Sequence, residues 1–342
     1  DEHGGWPGLL GLLLDRHHLT ADQARAAMTT ILSGDATPAQ LIGFVVALRA
    51  KGESAEELDG LLDAVLSHAE IVPLTENQRD ATVDIVGTGG DHSFSINIST
   101  MAAIVTAAAG VPVCKHGARA ASSKCGTADV LEELGVAVSL SPEGVKHCID
   151  QAGIGFCLAT SFHPAFRFAG PSRREIGIPT VFNLLGPMAN PGRVRRQVIG
   201  VANAAFAERM VETLRQHGSR HAWVVHGMGL DELTTTGRSE VIELDHGTVR
   251  HFRVDPEQLG LARAHDEDLV GGDPAVNAAV VRGVLAGERG PHRDIVVLNA
   301  GAGLVVGGRV ANLGDGIALA RETIDAGAAA ATLDRLVAAS RE

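Results

Sequence analysis

The hydrophobic period changes once along this chain, near residue 80, and that change limits the folds open to it. Before it, apolar residues recur at helical spacing: Leu9, Leu10, Leu13 and Leu14, then Leu41, Phe44, Val45 and Leu48. Thr20 stands where an N-cap belongs, with Gln23 placed to close a capping box, and Thr37-Pro38 opens another helix with Pro at its first position. β-Branched runs are absent, so residues 8–70 read as an all-helical block. Beyond it, short apolar runs at 83–86, 111–114, 198–201, 222–225 and 295–298 read as buried strands, while 102–109 and 128–134 read as helices. Strands alternating with helices imply an α/β unit built on a mainly parallel sheet, with ligands bound beyond the carboxyl ends of the strands.

A chain of 342 residues with 45% hydrophobic residues can bury cores for two domains of ordinary size. The formal net charge of −12 disfavours a sequence-independent grip on nucleic acid, and 3% aromatics with no Tyr leave little for stacking bases. Neither a signal peptide nor an apolar run of membrane-spanning length is visible, so no membrane association is expected. Cys114, Cys125, Cys148 and Cys157 lack CxxC spacing, and Cys114 and Cys157 sit in apolar runs as small core residues. A reduced, cytoplasmic location is expected.

Five loops carry chemistry. The first, GTGGD (Gly87, Thr88, Gly89, Gly90, Asp91), directly follows a strand. Its glycines let backbone N–H groups approach a phosphate, although a GTGGD in isolation is as often a plain turn. The second, NIST (Asn97, Ile98, Ser99, Thr100), opens an Ala-rich helix; Ser99 and Thr100 can cap it, and a helix N-terminus receives phosphate well. In the third, from Lys115 to Asp129, Lys115, Arg119 and Lys124 alternate with Gly, Ala and Ser, including Ala118 and Ser123, as a snug loop around an anion would require. The fourth runs from His163 to Pro191. Its Arg173-Arg174-Glu175 falls on a short helical stretch that frees one arginine for a carboxylate or phosphate, and residues 183–187 read as a turn. The fifth is Asp231-Glu232. Adjacent carboxylates are usually just solvated, but beside a phosphate site they become Mg²⁺ ligands.

Taken in order, GTGGD, NIST, KHGARAASSKCGTADVLEELG, HPAFR, RREIGIPTVFNLLGPMANP and GLDELTTTG resemble the signature of the anthranilate phosphoribosyltransferase family; the likeness extends through GPHRDIVVLNA and over most of the chain. The resemblance implies a small helical domain, residues 1–75, to which part of 163–190 returns. It implies an α/β domain over 80–162 and 191–342, with the active site between the two. It implies transfer of the 5-phosphoribosyl group from phosphoribosyl pyrophosphate (PRPP) to the amine of anthranilate, in tryptophan biosynthesis. By the same resemblance Gly87, Gly89, Gly90, Asp91, Asn97, Ser99, Thr100, Lys115 and Ser123 hold PRPP. Ser99, Asp231 and Glu232 hold Mg²⁺, with two ions expected. His116, Ala118, His163, Phe166 and Arg173 line the aromatic-acid site, Arg173 as the carboxylate partner. No covalent nucleophile is implied, and a homodimer is.

Two positions depart from the family pattern. The family loop usually reads KHGNR, where this chain has Ala118 for Asn, and its glycine loop commonly continues with Gly, where this chain has His92. A side chain is thereby added where the backbone can require positive φ. Both changes leave the acceptor open: anthranilate, or alternatively another aromatic acid used by a paralogue. A pyrimidine nucleoside phosphorylase shares the architecture, but RRE and DELTTTG favour the transferase. A non-catalytic nucleic-acid-binding relative conflicts with the net charge and with the retained carboxylates.

Overall fold

The structure is a computed structural model that describes residues 4–120 and 124–342. Four helices, Gly5–Leu14, Ala21–Leu32, Pro38–Lys51 and Ala55–Ser67, form the expected N-terminal block. The last three start with complete capping boxes, Thr20 with Gln23, Thr37 with Gln40 and Ser54 with Glu57.

The rest is built on a seven-stranded sheet: β1 Val83–Gly87, β2 Val113–Gly117, β3 Ile154–Leu158, β4 Arg196–Gly200, β5 His221–His226, β6 Ser239–Asp245 and β7 Thr248–Val254. Its spatial order is β3-β2-β1-β4-β5-β6-β7. The first five strands are mutually parallel, and β6 and β7 continue the sheet antiparallel. From β1 the chain steps outward to β2 and β3, then returns to β1's other side as β4. The point where the strand order reverses is therefore the β1–β4 pair, in register from Val83 opposite Arg196 to Gly87 opposite Gly200. A crevice outside the carboxyl ends of strands at such a point is where open α/β sheets bind ligands.

Alternate residues of the central strands feed two cores. Ile85, Val198, Trp223 and Val225 pack on one face with the helices Ile98–Ala108 and Pro291–Val306. Val86, Ile199, Val224 and Ile242 pack on the other with the N-terminal helices and Ala207–Gln216. Ala169, Val181, Phe182, Leu184 and Leu185 join this second core, so residues from the 163–190 segment pack with the N-terminal block.

Three expectations are corrected. Residues 295–298 are not a strand; they lie in the helix Pro291–Val306, in which every residue from Ile295 to Val306 is buried, so its apolar pattern carries no helical stripe. Residues 183–187 are not a turn but part of the helix Val181–Met188, with Pro187 in its last turn. Ser99 and Thr100 do not cap the helix Ile98–Ala108. Its N-cap is Asn97, without a side-chain cap bond, and the Glu232 carboxylate instead accepts from the Ser99 N–H at 3.1 Å.

Candidate active site

At the carboxyl end of β1 and β4 the backbone is pressed against Asp231. A Cβ on Gly87 would stand 2.2 Å from Asp231 Oδ2 and displace that carboxylate, and one on Gly200 would stand 1.5 Å from the Asp231 carbonyl oxygen, so the backbone contact at Gly200 requires glycine. The loop beyond β1 turns through left-handed Gly89 (φ 68°) and Gly90 (φ 77°), and Gly89 N–H donates to Asp231 Oδ2 at 2.7 Å. Both glycines are exposed, with open space where a side chain would be, so the loop presents bare backbone to the cleft. Asp91 accepts from the Ser93 hydroxyl at 2.7 Å. His92 (φ 56°) and Phe94 (φ 52°) are also left-handed, so the side chain expected to meet a positive φ at position 92 does so.

Lys115, on β2, is buried with its Nζ 2.6 Å from the Ile85 carbonyl and 3.2 Å from Ser99 Oγ. It thus ties β2 to β1 and to the first turn of the helix Ile98–Ala108. The Thr100 hydroxyl in the same turn is buried without a partner among the described residues. Asn97 spends its side chain on structure, donating to the Cys125 carbonyl and accepting from Asn277. Glu232 is buried and Asp231 half-buried beside these groups. Burial raises both carboxyls well above the usual carboxylate range, the Asp91 charge raises both further, and the Asp231 charge adds to the rise at Glu232. Burial lowers the Lys115 ammonium, which Asp84, Glu232 and Asp231 resist. Several carboxylates therefore face one ammonium. A hard divalent cation fits that donor set, because it would restore both carboxyls to the ionised form. Among the described residues no three His, Cys, Asp or Glu side chains gather in coordinating geometry; Mg²⁺ typically takes one or two carboxylates plus phosphates and water.

The next residue of β2, His116, begins a second subsite. Its Nδ1 donates to the Gly186 carbonyl at 3.0 Å, in the last turn of Val181–Met188, and leaves buried Nε2 unpaired among the described residues. His163 Nε2 likewise donates to Ala189 O at 2.9 Å and leaves Nδ1 unpaired among the described residues. Burial holds both imidazoles neutral, His163 at about 4 and His116 also far below its ordinary value. The rings run in sequence: His116 to His163, 5.1 Å between centroids; His163 stacked on Phe166, 5.2 Å; Phe166 edge-on to Phe182, 5.4 Å. Arg173, on Gly170–Ile176, ends the row with its guanidinium 4.8 Å from the Phe182 centroid. Burial alone lowers Arg173 and no carboxylate among the described residues answers it, whereas Arg174 and Glu175 both face solvent.

The fold thus brings most of the expected residues into two adjoining groups. Ser123 lies outside the described residues. Ala118 is exposed beyond β2, its carbonyl accepting from Ala128 N–H. Arg119 does not enclose an anion but pairs with Asp129 and Glu132. Two residues were missed. Phe182 joins the aromatic row. Asp84, fully buried in β1, accepts from His116 N–H at 3.1 Å and from Asn190 Nδ2 at 2.7 Å, and so fixes the strand that carries Lys115 and His116. Burial outweighs the Lys115 charge and lifts the Asp84 carboxyl to about 6. An acid inside the apolar run VDIVG was the available signal.

A helical bundle and an α/β sheet flanking a phosphate-type loop, an adjacent carboxylate pair and an aromatic wall define a glycosyltransferase-type enzyme. Residues 7–69 match the helical bundle domain of the glycosyl transferase family, and residues 79–330 match its a/b domain. The anthranilate phosphoribosyltransferase of Methylobacterium radiotolerans is 51% identical, covering 97% of this chain and 94% of its own. That of Thermus thermophilus superposes with a TM-score of 0.92 at 41% identity, over 98% of this chain and 99% of its own. The Saccharomyces cerevisiae enzyme in complex with PRPP and Mg superposes with a TM-score of 0.88 at 28% identity, over 98% of each chain. The same enzyme in complex with 4-fluoroanthranilate gives 0.87 at 27%, over 99% of each. The chain belongs to the anthranilate phosphoribosyltransferase family.

Proposed function

We propose that this protein transfers the 5-phosphoribosyl group of PRPP to the amine of anthranilate, with Mg²⁺, and releases pyrophosphate. The observation that carries the reading is the pairing of subsites on consecutive residues. Lys115 belongs to a group of backbone donors and carboxylates, and His116 to an aromatic row that ends at an unanswered guanidinium.

In this reading the exposed backbone at Gly89 and Gly90, with the Gly90 N–H as donor, the first turn at Ser99 and Thr100, and Lys115 hold the phosphates of PRPP. Gly87 and Asp91 shape the loop, with Asn97 at its margin, and Ser123 is assigned to the same PRPP site by the family resemblance. Asp231, Glu232 and Ser99 would hold Mg²⁺, two ions in all. When bound, the metal supplies Lewis-acid neutralisation of the pyrophosphate charge. Arg173 grips the acceptor carboxylate through a planar fork. Phe166, His163 and His116 enclose the ring, and Ala118 borders it. As the C1–N bond forms and the C1–O bond to pyrophosphate breaks, the amine sheds a proton. The unpaired Nε2 of neutral His116 offers an acceptor for an amine N–H. The chain itself orients the two substrates and leaves charge stabilisation to fixed dipoles. The domain division at 1–75 with 163–190, a homodimer and a cytoplasmic location belong to the same reading. Among the described residues no helix is long and apolar enough to cross a membrane.

The acceptor is tested by pyrophosphate release from Mg²⁺–PRPP against anthranilate and against hydroxy- and other aminobenzoates, for wild type and Ala118→Asn. An Asn adds two donors and an acceptor beside the ring, and polar groups discriminate more strongly than a methyl wall. Anthranilate is expected to give the highest wild-type kcat/KM, with Ala118→Asn narrowing the acceptor range. A different benzoate exceeding anthranilate by tenfold or more would instead establish the paralogue.

A further inference from the structure

At the opposite end of the sheet, arginines crowd a cavity of about 460 Å³. Arg196 starts β4, Arg220 precedes β5, and Arg309 follows the helix Pro291–Val306. All three line this cavity, in a chain whose formal net charge is −12. Their negative counterpart in the lining is one carboxylate, Asp80. Asp80 is already shared, 3.0 Å from Arg220 Nη2 and 2.8 Å from Arg195 Nη1. Asp245, the next acid near Arg196, is engaged by His246 and Arg250.

Arg196 is held by carbonyls rather than by an acid: Nε donates to Asp80 O at 2.7 Å and Nη1 to Val306 O at 2.6 Å. Its Nη2 has no partner among the described residues. Arg309 spends only Nε, on Ala109 O at 3.3 Å. Burial and the adjacent Arg220 charge both act against the Arg196 cation. Like charges gathered with spare donors and one shared carboxylate are an arrangement that an oxyanion relieves. The remaining wall includes Val111 and Pro112, an apolar surface for a carbon skeleton, and the volume lies in the range of small-molecule sites.

We propose that this cavity is a second anion site, which binds the phosphate group of a small phosphomonoester through Arg196, Arg220 and Arg309. It is separate from the carboxyl-end cleft: β4 runs from Arg196 at this cavity to Gly200 against Asp231, about 13 Å along the strand.

The test uses the full chain and two probes, inorganic phosphate and glycerol 3-phosphate, read as the rise in Tm against KCl at matched ionic strength. Arg220→Gln/Arg309→Gln removes two exposed side chains, and Arg253→Gln/Arg282→Gln makes the same charge change elsewhere. Both probes are expected to stabilise wild type and the distant double variant alike. The cavity variant should need about tenfold more of either probe for the same shift, with pyrophosphate release from PRPP unchanged. A wild-type shift no larger than that of KCl, or equal shifts in the cavity variant and wild type, would overturn the proposal. So would equal weakening in the two double variants, which would reduce the effect to bulk charge.

Discussion

Asp231 and Glu232 are both raised by burial and by the nearby Asp91 charge, and that predicts an uncommon pair of outcomes. A carboxyl whose folded pKa exceeds its unfolded value contributes stability below the unfolded pKa and loses it as pH rises through the folded one. At pH 8 without metal, the two carboxylates therefore cost stability. Asp231→Asn with Glu232→Gln keeps an oxygen for the Gly89 and Ser99 N–H groups while removing both charges. Its Tm at pH 8 in EDTA should equal or exceed that of wild type, while turnover falls on the order of a hundredfold. A variant of normal turnover, or one that unfolds, contradicts the assignment. Arg173 gives the complementary case. Its guanidinium has no acidic partner among the described residues and lies over Phe182, so Arg173→Ala should raise the acceptor KM roughly tenfold or more and the PRPP KM little. Equal effects on both substrates would place the carboxylate elsewhere.

At the scale of elements, Glu232 meets the first turn of Ile98–Ala108, Asp231 meets the loop after β1, and Lys115 reaches from β2 to both β1 and Ser99. Protons and Mg²⁺ then compete for the same carboxylates. Because both are pushed up toward neutrality, the Mg²⁺ concentration for half-maximal pyrophosphate release should rise steeply as pH falls from 8 to 6. Ordinary carboxylates would leave it flat over that range. A flat profile would show that the pair does not carry the metal. Elements with a clear period and good caps were legible in the sequence: the N-terminal helices, β1, β2, β4, β5 and the Ala-rich helix at 98–108. The helix Pro291–Val306 was not, because burial on every side erases the polar stripe that marks a helix. The Gly-Pro of Val181–Met188 resembled a turn, yet Pro187 sits in the last turn, and the Gly186 carbonyl there receives His116. Strands β3, β6 and β7 went unread. β3 is a short apolar run buried throughout, indistinguishable by periodicity from buried helix, and exposed β7 lacks an apolar run. Arg119 was not assigned from its spacing, since the acids that hold it, Asp129 and Glu132, stand 10 and 13 residues further on, on the helix Thr127–Glu133.

For the whole molecule, the sheet reverses its strand order at β1–β4, one core packs the N-terminal helices against one face, and the 163–190 segment carries Phe166, Arg173 and Phe182 to the neighbourhood of His116. The proposed reaction needs all three contributions at once: phosphate loops from the sheet, ring-binding side chains from that segment, and a carboxylate pair from the loop after β5. The direct measurement follows both products in one vessel, with wild-type protein, Mg²⁺, PRPP and anthranilate. The account predicts one pyrophosphate released for each anthranilate consumed, release that stops in EDTA, and none above background when anthranilate is omitted. Pyrophosphate release that does not depend on an aromatic acid, or phosphate-dependent cleavage of pyrimidine nucleosides in place of it, would contradict the account.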